Sequence, residues 1–261
     1  MILRRLAHRI RHQDWMAIGI ELLIVILGVF IAFQVTDWGD ERANRSAEKR
    51  HLEEIREDLR EDVRALEMVH KAALMRISSI DYILGEVPGV TRPSRLSMPT
   101  GETFEIPAGT PVTAADRNLL LSRANLVRIT MGNRTGFEAL IGAGGMRTIR
   151  DRQITRQLQV YYAQFDDMMG TQTMLRQIRT EGVALGYPLG LSAFGEMDAD
   201  KLIGVVRASA TYSAYLRTTR EWSAIHLATA DQQKERALKL LADIDAYLGH
   251  GQRSGKEAVR Q

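Results

Sequence analysis

The sequence predicts an all-α protein with one N-terminal transmembrane helix that continues into a long amphipathic helix, plus a helical-bundle extramembrane domain. Three observations support this class: a dense apolar run near the N-terminus, apolar residues that then recur every three or four positions, and the concentration of proline within residues 85–112. Hydrophobic residues make up 45% of the 261, which excludes a wholly disordered chain. The absence of cysteine excludes disulfides and thiolate chemistry.

Residues 15–38 are predicted to form an uncleaved transmembrane signal anchor. The run WMAIGIELLIVILGVFIAFQV from Trp15 contains only two strongly polar residues, Glu21 and Gln34. As a helix it is roughly 31 Å long, which matches the hydrocarbon core of a bilayer. Trp15 and Trp38 bracket it at the expected headgroup levels. A buried core helix is the first alternative. A cleaved signal peptide is the second, although the apolar stretch is longer than usual and no Ala-x-Ala site follows it.

The flanks of this segment predict its orientation. Four cations precede it and four follow it within a similar distance: Arg4, Arg5, Arg9 and Arg11, then Arg42, Arg45, Lys49 and Arg50. Their numbers are equal, but long C-terminal domains translocate largely regardless of charge. We therefore expect a single-pass protein of the bacterial inner membrane with a cytoplasmic N-terminus and a periplasmic C-terminal domain. Residues 1–14 are expected to lie on the anionic inner leaflet as a basic amphipathic segment.

Glu21 lies inside the apolar segment, where a carboxyl group is costly and usually faces protein or water. At 100° per residue, Ala17, Glu21, Gly28 and Ala32 share one stripe of the helix, and the small residues allow a second helix to approach closely. This stripe predicts self-association in the membrane. Two alternatives stay open: Glu21 reaches the cytoplasmic headgroups, or it lines a proton or cation path in an oligomeric channel.

Residues 39–248 are predicted to form one helical periplasmic domain. Its first helix carries an apolar stripe with steps of three and four, formed by Leu52, Ile55, Leu59, Val63, Leu66, Val69, Ala73, Ile77, Ile80 and Leu84. The opposite face carries Glu and Arg three positions apart, as in Glu53/Arg56 and Glu57/Arg60. A solvated face explains these charges, and a coiled-coil seam with a second copy is the alternative.

Further elements follow from capping residues and glycine. Residues 85–112 are expected to be a connector with a short extended piece at 104–106. A helix is predicted from Thr113 to about residue 131, and a short one over 136–141 behind a capping box of Thr135 and Glu138. A long helix should begin at Asp151 and end in the glycine-rich stretch 182–195. Two last helices are expected over about 198–219 and 221–248, before a polar tail at 249–261.

Three stretches together resemble an uncharacterised family of Gram-negative bacterial single-span membrane proteins with a helical extramembrane domain of unknown function. They are GVFIAFQVTDW, HLEEIREDLREDVRALE and TGFEALIGAGGMRTIRDRQITRQLQVYY, and the resemblance covers about residues 1–165. It implies a membrane location and the architecture above, and it implies no chemistry.

No catalytic, cofactor or metal signature is found in the sequence. The six histidines show no HExxH or other ligand spacing, and GAGG at 142–145 lacks the further glycine and the preceding strand of a phosphate-binding turn. The formal net charge of +3 does not favour nucleic acid. The acidic pairs Asp58/Asp62 and Asp166/Asp167 are interpreted as solvated or locally ion-paired, and the Tyr161/Tyr162 pair as core.

One cationic cluster precedes the long helix. Arg147, Arg150, Arg152 and Arg156 can contact an anion or a lipid headgroup, and a solvated surface is the alternative. The leading hypothesis is a non-enzymatic, membrane-anchored interaction, sensory or scaffolding protein that self-associates through its transmembrane helix. Its expected partners are the lipid bilayer, a second copy of the chain and a protein of unknown identity. An oligomeric channel or transport component is the alternative function.

Overall fold

The structure, a computed structural model, describes the backbone of residues 15–258 and the side chains of residues 20–249. The chain is mainly helical, with 77% of residues in helix and 3% in strand, which confirms the all-α class. It divides into two compact units, residues 1–50 and residues 51–261.

The helix α1, Trp15–Gly85, is 71 residues long. In the second unit its predicted apolar stripe is buried from Leu52 to Leu84, with Val63 half-buried. The stripe packs against the chain's own residues, so it is not a coiled-coil seam between copies. On the polar face Arg60 pairs with Glu57 as expected, and Arg56 lies 3.4 Å from Asp245.

The predicted connector contains a small hairpin. Strand β1, Arg95–Ser97, pairs antiparallel with β2, Thr103–Glu105, and Leu96 stands opposite Phe104. The expected extended piece is therefore found one residue earlier than predicted, with a partner strand that the sequence reading missed. Gly101 closes the turn at φ +92°, a conformation that favours glycine.

The predicted helix from Thr113 to residue 131 is wrong in length. A 3₁₀ turn, Ala114–Leu119, leads into α2, Leu120–Ala124, which ends at Asn125. The Asn125 side chain donates to Leu121 O, 2.9 Å away, and accepts from the Tyr215 hydroxyl. Residues 126–134 then run outside regular structure, because buried side chains from other helices bind their backbone groups.

The short helix α3, Thr135–Gly142, confirms the predicted helix, but its cap differs. The N-cap is Arg134 instead of Thr135, which is the first residue of the helix, and the Arg134 side chain makes no capping bond. Asn133 Oδ1 accepts from the Thr135 backbone N–H, and Asp58 Oδ2 accepts from that of Gly136, 2.6 Å away. After a 3₁₀ turn, Gly145–Thr148, the helix α4 spans Arg152–Gly186, with Asp151 accepting from two backbone N–H groups as its N-cap. It ends four residues beyond Gly182.

The last two helices divide at a different residue from the predicted one. A 3₁₀ turn, Tyr187–Leu189, precedes α5, Ala199–Ala208, and α6 spans Ala210–Ala258. Ser209 is extended between them, and its hydroxyl accepts from the backbone N–H of Tyr212. The predicted break near residue 220 is absent because Arg220 and its neighbours continue α6.

Two large apolar clusters and one small one form the core of the second unit. The first joins α1, α3, α4 and α6 around Leu59, Phe165 and Ile244. The second joins the end of α1 to α2, α5 and the start of α6 around Ile83, Leu202 and Tyr212. The third ties the hairpin to α1 and α6 through Ile77, Ile106 and Ala224. All of their buried members lie between residues 52 and 244.

Candidate functional site

The apolar part of α1 is exposed along its whole described length. Every large apolar side chain from Ile20 to Val35 is between 48% and 66% exposed. Among the described residues, α1 is the one helix long and apolar enough to cross a membrane, with a mean hydropathy of 2.1 over its most apolar window. So large a contiguous apolar surface is typical of a membrane or protein contact.

The predicted association stripe lies on this exposed helix. Glu21, Gly28 and Ala32 are all exposed, and a Cβ added at Gly28 would meet nothing within 4 Å. Trp38, predicted to lie at a headgroup level, is exposed, and the Arg42 guanidinium is 5.8 Å from its ring centroid. The other predicted positions lie outside the described residues or have no described side chain: Arg4, Arg5, Arg9, Arg11, Trp15 and Ala17.

The four arginines proposed as an anion or lipid contact are all exposed. Arg147 lies in the second 3₁₀ turn, Arg150 just before α4, and Arg152 and Arg156 in its first two turns. Arg156 lines a groove between α4 and α6 together with Arg236 and Lys239. No local sequence pattern associates Arg156 with two cations that lie 80 and 83 positions further along the chain.

A buried carboxylate pair was missed by the sequence reading. Asp58 and Asp62, expected to be solvated or locally ion-paired, are only 7% and 2% exposed. Asp58 accepts from the backbone N–H of Gly136, and Asp62 accepts from that of Asn133 at 2.7 Å and from the Tyr161 hydroxyl at 2.8 Å. The acids therefore hold the segment before α3 against α1.

Burial raises the pKa values of both acids. Desolvation is the largest cause for each, and the bonds from backbone N–H groups oppose it. The pKa of Asp62 rises to about 6, with the neighbouring charges of Asp58 and Glu61 contributing. Burial likewise raises the pKa values of Tyr161 and Tyr162, so both phenols stay neutral. This pair packs in the core as predicted, with Tyr162 stacked on Phe137.

A signal for Asp62 was present in the helical period. At 100° per residue, Asp62 lies within roughly 20° of Ile55 and inside the arc of Leu59, Leu66 and Val69. An acid in the middle of an apolar arc is expected to be buried with a partner. The identity of the partner required the fold.

A second buried polar cluster surrounds Arg76, which is wholly buried. Its Nε donates to Ser223 Oγ at 2.6 Å, one terminal nitrogen donates to Leu126 O, and the other lies 3.4 Å from His226 Nδ1. All three acceptors are neutral. Burial lowers the pKa of Arg76 to about 10, and burial with the charge of Arg76 lowers the pKa of His226 to about 3, so His226 is neutral.

A polar cavity of about 600 Å³ lies between α1, the connector and α6. Arg220 pairs with Asp81 in its wall at 2.6 Å, both largely buried. Ser78 Oγ accepts from the backbone N–H of Thr110 at 2.8 Å, and a Cβ at Gly109 would lie 2.6 Å from Ser78 Cα, so glycine allows this close approach. The volume is typical of small-molecule sites.

This cavity offers polar groups for a ligand. Arg92 is exposed at its edge and uses one nitrogen on Asp81 O at 2.8 Å, while the side chains of Ser94 and Tyr82 also line it. A small polar or anionic molecule suits this lining. In the part of the chain that the structure describes, no group of three His, Asp or Glu side chains is placed to hold a metal ion.

Comparison with protein-family models, curated proteins and solved structures finds no match for this chain. The family resemblance stays a prediction from the residues.

Proposed function

We propose that this chain is a membrane-anchored, non-enzymatic interaction or sensory protein, with residues 15–38 as its transmembrane anchor. The continuous exposure of apolar side chains from Ile20 to Val35 carries the proposal, because burying them in lipid removes a large apolar surface from water. Residues 39–248 form a periplasmic helical bundle in this proposal. Its polar cavity beside Arg92 supports a sensory role.

The anchor and its topology have a direct test. Full-length protein in Gram-negative cells is expected to stay in the inner-membrane pellet after carbonate extraction, and protease added to spheroplasts should digest the region after residue 38. Replacing Leu23, Val25 and Leu27 with Asp should release the protein into the soluble fraction. Recovery of the unmodified chain in that fraction would reject the anchor, and full protection from protease would reject the orientation.

Self-association through the stripe of Ala17, Glu21, Gly28 and Ala32 is part of the proposal. It is supported by the exposure of Glu21, Gly28 and Ala32, which leaves space for a second helix. Cross-linking in detergent should give an oligomer ladder that Glu21→Gln and Gly28→Leu reduce. The matched control Val29→Leu should leave it intact.

Glu21 also supports a second candidate, an oligomeric channel or transport component, because its carboxyl group is exposed within the apolar segment. A channel predicts that Glu21→Gln abolishes conductance in a reconstituted bilayer without loss of assembly. An interaction protein predicts no conductance for either form.

A further inference from the structure

A narrow groove of about 220 Å³ lies between α4 and α6. Its floor is apolar, formed by Val160 and by the nearly buried side chains of Tyr161 and Leu240. Three cationic residues also line the groove, Arg156 from α4 and Arg236 and Lys239 from α6. The groove therefore combines an apolar surface with a cluster of positive charge.

The three cations are available to a ligand. Among the ion pairs formed by the described residues, none includes Arg156, Arg236 or Lys239. The lining residues thus carry three positive charges and no acid. An anion bound beside these residues would be attracted by all three charges.

We infer that this groove binds a single-chain anionic amphiphile, a long-chain carboxylate, with its head among the three cations and its chain on Val160, Tyr161 and Leu240. A free inorganic anion would leave the apolar floor of the groove in contact with water. An uncharged hydrocarbon chain would leave the three cations without a counter-charge. The small volume suits part of one chain and excludes the two chains of a phospholipid. The inference goes beyond membrane anchoring and does not depend on it.

Tyr161 connects the floor of the groove to hydrogen bonds in the core. Its ring lines the groove, its hydroxyl donates to Asp62 Oδ2 on α1, and its carbonyl accepts from Gln233 Nε2 on α6 at 2.9 Å. A chain packed on this ring contacts a residue that joins α1, α4 and α6 by hydrogen bonds. Binding is therefore expected to raise the thermal stability of the protein.

Photo-cross-linking of the full-length protein in phosphatidylcholine nanodiscs tests the inference. A long-chain carboxylate with a diazirine in its chain is the probe, and peptide mapping locates the label. We expect label in 156–161 and 236–240, reduced by excess dodecanoate and unchanged by acetate, phosphate or dodecanol. Label confined to 20–35 would overturn the inference, and so would competition by phosphate, which would indicate a simple anion site.

Variants separate the head site from the floor. The triple variant Arg156→Gln, Arg236→Gln, Lys239→Gln should lose at least about tenfold of the groove label, because charge-assisted bonds hold the head. The control Arg147→Gln, Arg152→Gln changes exposed cations outside the groove and should label normally. Val160→Gln, at a position 44% exposed, keeps the cations and should also reduce labelling. Unchanged labelling in the triple variant and in Val160→Gln would overturn the inference.

Discussion

Asp62 links the chemistry of one residue to the stability of the fold. Its carboxyl group is buried among Asp58, Glu61 and Tyr161, which raises its pKa from 3.8 to about 6. A raised pKa means that the native state binds the proton more tightly than the unfolded state. At neutral pH the charged form therefore destabilises the fold, and acidification through pH 6 toward 4 relieves this cost.

We expect Asp62→Asn to be more stable than the wild type at about pH 7.5 and equal to it only below about pH 3.8, where the carboxyl group of the unfolded chain is protonated as well. Asparagine can accept from the Asn133 N–H and donate to the Tyr161 oxygen, as the protonated acid does. The pKa shift of about two units corresponds to a difference of about 3 kcal/mol in the free energy of unfolding. Urea unfolding across pH measures it. The control Asp167→Asn changes an exposed acid. A difference in the free energy of unfolding between Asp62→Asn and the wild type that does not depend on pH would contradict the raised pKa.

Two glycines of α4 should respond to alanine in opposite directions. A Cβ at Gly182 would lie 1.9 Å from Tyr215 Cζ, whereas one at Gly170 would meet nothing within 4 Å. Gly182→Ala should therefore destabilise the protein by about 1–3 kcal/mol or more. Gly170→Ala should stabilise it by about 0.5–1 kcal/mol, because alanine restricts the unfolded chain. Thermal unfolding by circular dichroism checks both, and equal shifts would show that the packing of Tyr215 on α4 is wrong.

The sequence pattern predicted which side chains are buried more accurately than it predicted the residues that they contact. The period of α1 identified its apolar stripe from Leu52 to Leu84, and the same period placed Asp62 within it. The burial of Asp58 and Asp62 was nevertheless not predicted, because acids on a helix face were assumed to be solvated. Their burial depends on Tyr161 and on the segment before α3. Those partners lie roughly 70 to 100 positions away in the sequence, beyond any local rule.

At the scale of elements, Ser209 separates α5 from α6. Its extended backbone ends α5, and its hydroxyl accepts from the Tyr212 N–H at 3.2 Å to begin α6. The Ser213 hydroxyl donates to Val206 O across the same junction. Serine at this position therefore acts as the N-cap of the longer helix.

Ser209→Ala is expected to cost about 1 kcal/mol of unfolding free energy, because the N–H of Tyr212 loses its acceptor. Ser209→Asp restores an acceptor of similar capping strength and should recover the loss. Midpoints of urea denaturation compare the three proteins. If alanine and aspartate gave the same midpoint, the cap at this junction would be refuted.

The segment 126–134 shows why the helix predicted there does not form. Gln172, wholly buried on α4, accepts from the Thr130 N–H and donates to the Thr130 carbonyl, both at 2.8 Å. Asp62 and Arg76 bind further backbone groups of the segment, those of Asn133 and Leu126. These side chains replace the bonds that a helix would supply, so local propensity did not decide the conformation.

At the scale of the whole molecule, the buried core lies entirely in residues 52–244. The apolar residues 20–35 contribute nothing to it, since all of them are exposed. Composition and period were sufficient to predict this separation and the helical class. They did not predict the hairpin, the polar cavity or the groove between α4 and α6, which are formed by residues far apart in the sequence.

A fragment of residues 39–261 is therefore expected to be soluble, helical and cooperative in unfolding. It keeps every buried member of the three clusters, and it lacks the whole apolar segment. A fragment of residues 60–261 loses Leu52, Ile55 and Leu59 and should unfold at a lower temperature or without cooperativity. Circular dichroism and size-exclusion chromatography distinguish the two. An insoluble or unfolded longer fragment would refute an independently stable domain.

The buried guanidinium of Arg76 restricts how this sequence can diverge. It relies on neutral acceptors from Ser223, His226 and the Leu126 carbonyl. Losing one of them would leave a buried, charged N–H donor without a hydrogen-bond acceptor. In a relative with an apolar residue at position 76, the residues at positions 223 and 226 would no longer have to supply hydrogen-bond acceptors. Among homologous sequences, positions 76, 223 and 226 should therefore change together, and a hydrophobic triplet would be as acceptable as the polar one found here.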